Sequence, residues 1–286
     1  LYGGEIDQND LDATLEQISL DLWTRQRQHL RLQTGIANPP PPLPDLRDHD
    51  ITQPVYRAVF TAHPVFALRH DVSMTLCSDA GTNRAQVPDQ PYAQRNEVTL
   101  QEEHAEAMEA ICNARRAICE LNAAMLQQRQ EHQPKDWRTS LPQMLGVSTW
   151  VGYDLDGRSD ISWADSFWLR LTEKAQALEI YLAALRRTGI AAAVPISEKL
   201  DAELSATKDD ITRFERLGAD TDDFATIVNA LTERESKLTS SFGIADEIHA
   251  IANSLDDDAE ARQLMVIAAD VRTHGNRRHR QRCPFR

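Results

Sequence analysis

No two of the four cysteines, Cys77, Cys112, Cys119 and Cys283, stand at CxxC spacing. Without that spacing, and with no signal peptide at the start, they read as free thiols in a reducing cytosol. No apolar run approaches the length that crosses a bilayer, so the chain is expected to be soluble, cytoplasmic and without a membrane partner. Positive charge is scarce as well. A net charge of −13 argues against nucleic acid or an anionic membrane surface as the main partner. It leaves a small anionic substrate open, because local arginines override an average. No internal repeat is visible. The exception to the acidity is VRTHGNRRHRQRCPFR, where Arg272, Arg277, Arg278, Arg280, Arg282 and Arg286 occur with no acid. Residues 276–286 therefore form a basic tail, either a polyanion-binding terminus or an atypical continuation of residues 1–275. Its abrupt onset favours the second.

What is present is mostly helical pattern, in 286 residues that suffice for one large core or two small ones. Leu11, Leu15, Ile18 and Leu22 share one face of a helix predicted over 5–33. ANPPPPLPDL (37–46) interrupts it with five prolines and reads as a stiff linker. A short apolar run spans 56–61, and 78–91 is polar and loop-like. Thr99 and Glu102 form a capping-box pattern for a long helix to about Gln130. Strand-favouring Val147, Thr149, Trp150 and Val151 follow in MLGVSTWVGY. Helices are predicted over 163–187, 197–216, 222–239 and 243–254. QLMVIAADV (263–271) reads as a third strand-like run, with a buried helix as the alternative, since periodicity does not separate the two at this length. Trp150, Trp163 and Trp168 are assigned to the core, and Asp256, Asp257 and Asp258 to a helix N-terminus.

The three runs end in polar clusters, TAHP, DLDGRSD and RTHG. Strands separated by helices imply parallel pairing through crossovers. In an α/β barrel the reactive residues sit where strands end and loops begin. His63, fixed by Pro64, suits a base or a phosphate-contacting hydrogen-bond donor, with a core histidine as the plainer reading. Arg69 and His70 add cationic donors on the following turn. Asp154, Asp156 and Asp160 surround Gly157 beside Arg158. They do not fit a calcium loop, and either Asp160 or Ser162 serves as the N-cap of the next helix. DLDG after a strand also resembles the nucleophile motif of haloacid-dehalogenase phosphatases, although Arg158 follows the glycine where that family has Thr or Val. EEHAE (102–106) lacks a second histidine at helical spacing and reads as surface helix, so no metal ligands are assigned.

FTAHP at 60–64 and STWVGYDLDGRSDI at 148–161 together resemble phosphoenolpyruvate carboxylases, whose signatures are TAHPT and SWxGGDRDGNPxV. The order and the intervening helical length agree. The resemblance covers most of this chain but only about the amino-terminal third of the family's polypeptide. It implies a predominantly α chain with a few short parallel strands, part of a carboxylase-type α/β barrel with large helical insertions. It also implies a carbon–carbon lyase that joins phosphoenolpyruvate to bicarbonate, giving oxaloacetate and phosphate, with Mg²⁺ or Mn²⁺ as cofactor. His63 matches the family histidine that promotes carboxyphosphate formation, and its imidazole is expected at the mouth of the barrel, facing the aspartate-rich turn. Arg69, Asp154, Asp156 and Arg158 are the expected substrate- and phosphate-binding residues. Val65, His70 and Leu155 depart from the family pattern, which argues against the sugar-phosphate activator some members bind. The family's metal-binding acids and mobile loop lie in a later region, so the chain is expected to be an incomplete fragment, inactive alone. The full-length family forms homotetramers. The alternative from another class is a non-catalytic helical interaction module.

Overall fold

The computed structural model describes residues 8–33, 50–60, 69–82, 99–153, 161–217, 229 and 241–274. Among these residues the chain is mostly helical, with seven α-helices, one two-stranded parallel sheet and no barrel. It divides into two compact units, residues 1–44 with 62–99, and residues 45–61 with 100–286.

In the first unit, α1 (Gln8–Gln33) pairs with α2 (His70–Thr82). The seam is set by Trp23, buried against Val72 and Leu76, with Leu30 beside it. The indole Nε1 donates to the buried carboxylate of Asp79 at 3.3 Å, the partner a buried tryptophan needs. Arg31 donates to the carbonyl of Ala80 at 2.7 Å, one of the carbonyls left open at a helix end. The predicted leucine stripe does not form this seam: Leu15, Ile18 and Leu22 are 52, 49 and 45 % exposed. The contact face runs one position over, through Trp23, whose indole offers the largest apolar surface on this part of the helix. Residues 78–82, expected as loop, complete α2.

In the second unit, β1 (Tyr56–Phe60) and β2 (Leu145–Thr149) pair in parallel, Tyr56 opposite Leu145 and Phe60 opposite Thr149. Parallel neighbours need a crossover, supplied by α3 (Leu100–His132), which opens directly after Thr99 as the Thr99–Glu102 pattern predicts. Met108, Ile111 and Ile118 lie on one face of α3 and pack with Ala58, Phe60, Leu145 and Val147 of the sheet. The helix runs antiparallel to the strands, so its first turns stand at their carboxyl ends.

Beyond β2 come α4 (Trp163–Thr188), α5 (Val194–Leu217), α6 (Ser241–Ser254) and α7 (Asp258–His274). Their apolar faces form the main core around Leu185, Ile196, Leu200, Ile248, Leu264 and Met265. Of the two candidate N-caps, Ser162 starts α4: its hydroxyl accepts from the Asp165 amide while the Asp165 carboxylate accepts from the Ser162 amide. Gly189, at φ 66°, ends it in the left-handed geometry glycine allows. The Asp257 carboxylate caps α7, accepting from the amides of Ala259 (2.7 Å) and Glu260 (2.9 Å). Arg138 ties the α6–α7 corner together by donating to the carbonyls of Ala252 and Leu255 and pairing with Asp258.

The run 263–271 is therefore helix, not strand. Ala, Leu and Met are good helix formers, and a helix buried on nearly all sides shows no amphipathic period, which makes it resemble a buried strand in sequence. The tryptophan assignment also changes. Trp23 and Trp137 are buried, Trp168 is partly buried with Nε1 donating to Glu215, and Trp150 is 42 % exposed. The side chain of Trp163, the prolines at 37–46, Cys283 and all but residue 229 of 222–239 lie outside the described residues.

Candidate functional site

The two strands end side by side. The carbonyl of Phe60 accepts from the Trp150 amide (2.9 Å) and from Thr149 Oγ1 (3.1 Å), while that same Oγ1 accepts from the Val151 amide at 3.0 Å. The chain then turns, with the Tyr153 amide donating to the Trp150 carbonyl at 3.1 Å. Gly152 makes the turn possible. Its φ of 82° is left-handed, and a Cβ there would lie 2.2 Å from Leu169 Cδ1, too close for any side chain. FTAHP thus leaves the end of β1, and WVGYDLDGRSD the end of β2, from adjacent points on one edge.

A polar cluster backs this edge. Glu173, on α4, accepts through one oxygen, Oε1, from the Tyr153 hydroxyl (3.0 Å) and from His104 Nε2 (3.2 Å). Its other oxygen lies 3.7 Å from the guanidinium of Arg170, which stacks 5.8 Å above the Tyr153 ring. Burial first, and then the charge of Glu173, push ionisation of the Tyr153 phenol well above the ordinary range. Tyr153 is therefore a donor at physiological pH and not a base. His104 is the histidine of EEHAE. It is not on a surface helix face: it is only 4 % exposed, and the sequence reading missed it. Its position four residues after Leu100 and four before Met108, both buried apolar residues of α3, is the signal that places it on the buried face.

His63, Asp154, Asp156, Arg158 and Asp160 lie outside the described residues. Arg69 lies just before α2. Its guanidinium forms a two-point pair with Asp71, Nε to Oδ1 at 3.1 Å and Nη2 to Oδ2 at 2.6 Å, which lowers the carboxyl's proton affinity. Among the described residues no group of three or more His, Cys, Asp or Glu side chains could hold a metal ion.

The third cluster, RTHG, stands elsewhere. The carbonyl of Thr273 accepts from Arg57 Nη2 at 3.5 Å, and its methyl group packs at Gly146, residues in the amino-terminal half of the strands. One turn earlier, Asp270 accepts from Arg115 (Nη2 to Oδ2 2.6 Å, Nε to Oδ1 3.2 Å) and from His274 Nδ1 (2.8 Å). All three side chains are buried, and the Arg115 guanidinium sits 5.1 Å over the Tyr181 ring. Burial works to raise the Asp270 carboxyl, but the His274 hydrogen bond and the charge of Arg115 outweigh it and hold it low. The same burial pushes the neighbouring Cys119 thiol up to about 12. His274 Nε2 is buried without a partner among the described residues. The amino ends of strands are where an α/β fold keeps residues for stability, and this cluster joins α3 to α7.

No protein-family model, curated protein or solved structure matches the chain.

Proposed function

We propose that the chain is the amino-terminal part of a phosphoenolpyruvate-carboxylase-type enzyme. The observation that carries this reading is the shared strand edge. Both signature segments follow directly on parallel strands whose carboxyl ends are joined through the Phe60 carbonyl. Two motifs that matched by chance would have no reason to leave neighbouring ends of the same small sheet, the end at which α/β enzymes place their chemistry.

In this reading bicarbonate attacks the phosphorus of phosphoenolpyruvate, giving carboxyphosphate and an enolate, and the enolate captures the CO₂ released. His63 promotes the first step. Arg69, Asp154, Asp156 and Arg158 are the substrate- and phosphate-binding residues of this reading, the arginines offsetting the negative charge that develops. Arg69 reaches a phosphate by exchanging its Asp71 pair for one of the same two-point geometry. The resemblance covers only about the amino-terminal third of the family's polypeptide, so little or no turnover is the expected behaviour of the chain alone.

The test supplies the carboxy-terminal portion of a carboxylase in trans and assays bicarbonate-dependent oxaloacetate. Activity that requires His63, and is lost in His63→Ala, supports the enzyme. Equal behaviour of both versions favours a helical interaction module, the second reading, for which the exposed Leu15, Ile18 and Leu22 on α1 speak.

A further inference from the structure

The signature SWxGGDRDG has a second glycine where this chain has Tyr153, and the structure gives that side chain a task glycine cannot perform. We propose that Glu173 is a positioning residue, which holds Tyr153 and so fixes the point where the chain leaves β2 for the aspartate-rich segment 154–160. The inference rests on the reading above, in which that segment carries site residues.

Three observations converge on it. First, a single carboxylate oxygen takes hydrogen bonds from two donors on separate segments, Tyr153 after β2 and His104 in the first turns of α3, while Glu173 itself sits on α4. Three elements that meet at the strand edge are thus tied at one atom. Second, both oxygens of that carboxylate are engaged. Oε1 is the common point at which the Tyr153 hydroxyl and His104 Nε2 meet. The other oxygen lies 3.7 Å from the guanidinium of Arg170. Third, the backbone between Thr149 and Tyr153 has little freedom left. Thr149 Oγ1 bonds the Val151 amide, Gly152 has no room for a Cβ, and the Tyr153 amide bonds the Trp150 carbonyl. A side-chain anchor at Tyr153 completes a turn already fixed on its strand side.

Hydrogen exchange on the full chain tests this without any need for turnover. Tyr153→Phe removes only the hydroxyl, and Glu173→Gln keeps the shape of the acceptor while removing its charge. Both are expected to speed exchange of the Val151 and Tyr153 amides about tenfold, the change that about 1.4 kcal/mol produces. Peptides within α3 and α4 are expected to stay as they are. Unchanged exchange at these two amides overturns the proposal, and so does equal acceleration along α3 and α4, which would make the cluster simple helix packing. In the enzyme completed in trans, Tyr153→Phe is expected to lower kcat with KM for phosphoenolpyruvate nearly unchanged. A raised KM at constant kcat would instead put Tyr153 on the substrate and overturn the positioning role. If the completed wild-type chain makes no oxaloacetate, the carboxylase reading fails while the exchange result still decides the role of Glu173.

Discussion

Replacing Asp270 by asparagine should be among the most damaging single-atom changes available in the second unit. The carboxylate lies buried, takes two hydrogen bonds from Arg115 and one from His274, and is the counter-charge to a guanidinium that is itself buried. Asparagine keeps the volume but removes the charge, so Arg115 stays in the interior with a neutral amide for company. Breaking a buried pair in this way costs about 3–5 kcal/mol, against a total stability of about 5–15 kcal/mol for a domain. Replacing both partners, as in Arg115→Met with Asp270→Leu, leaves no stranded charge and should recover most of that loss, short by the bond His274 makes. Urea unfolding followed by far-ultraviolet circular dichroism measures both. The pH dependence has a definite sign. Asp270 is held below its unfolded value, so between the two the unfolded chain binds more protons. The stabilisation is then complete above about pH 4 and fades as pH falls through the folded value. The asparagine variant should lack this acid limb. A loss under about 1 kcal/mol, or a double variant no better than the single one, would refute the reasoning.

Gly152→Ala meets both a left-handed backbone and Leu169, and should cost about 1–3 kcal/mol. Adding Leu169→Ala relieves the clash but not the backbone strain, so melting curves of single and double variants separate the two. Ser162→Ala removes the reciprocal cap of α4 and should cost about 1 kcal/mol by the same measurement. Alkylation at pH 8 followed by mass spectrometry should label exposed Cys77 well before Cys119, whose thiol burial pushes up to about 12. Equal labelling would show that Cys119 is not shielded as described.

Much of the helical architecture is legible in the sequence because it rests on local rules. The Thr99–Glu102 pattern, the Ser162 cap and the acids before α7 all mark real helix starts. Both strands are legible as short apolar runs closed by polar clusters. The failures have one physical origin: burial is decided by contacts distant in sequence. Leu15, Ile18 and Leu22 have the spacing of a core face, but α2 meets α1 at Trp23. The run at 263–271 lost its helical signature because α3, α4 and α6 surround it. His104 looked like one charge among several in EEHAE until Glu173, 69 residues away, gave it a partner. The aspartate of RTHG's helix could not be paired with Arg115 by inspection, since 155 residues separate them.

A single uninterrupted helix, α3, carries both His104 and Arg115. Eleven residues apart, they stand about 16 Å from each other along the axis and within about 20° around it. Strain introduced beneath the sheet at Arg115 has a stiff rod along which to reach the opposite rim. On the carboxylase reading, a screen for lost activity would therefore recover lesions at His104 and at Arg115 together. Phenotype alone would not sort them; only a comparison of folded fraction with specific activity would tell a failed foundation from a failed rim.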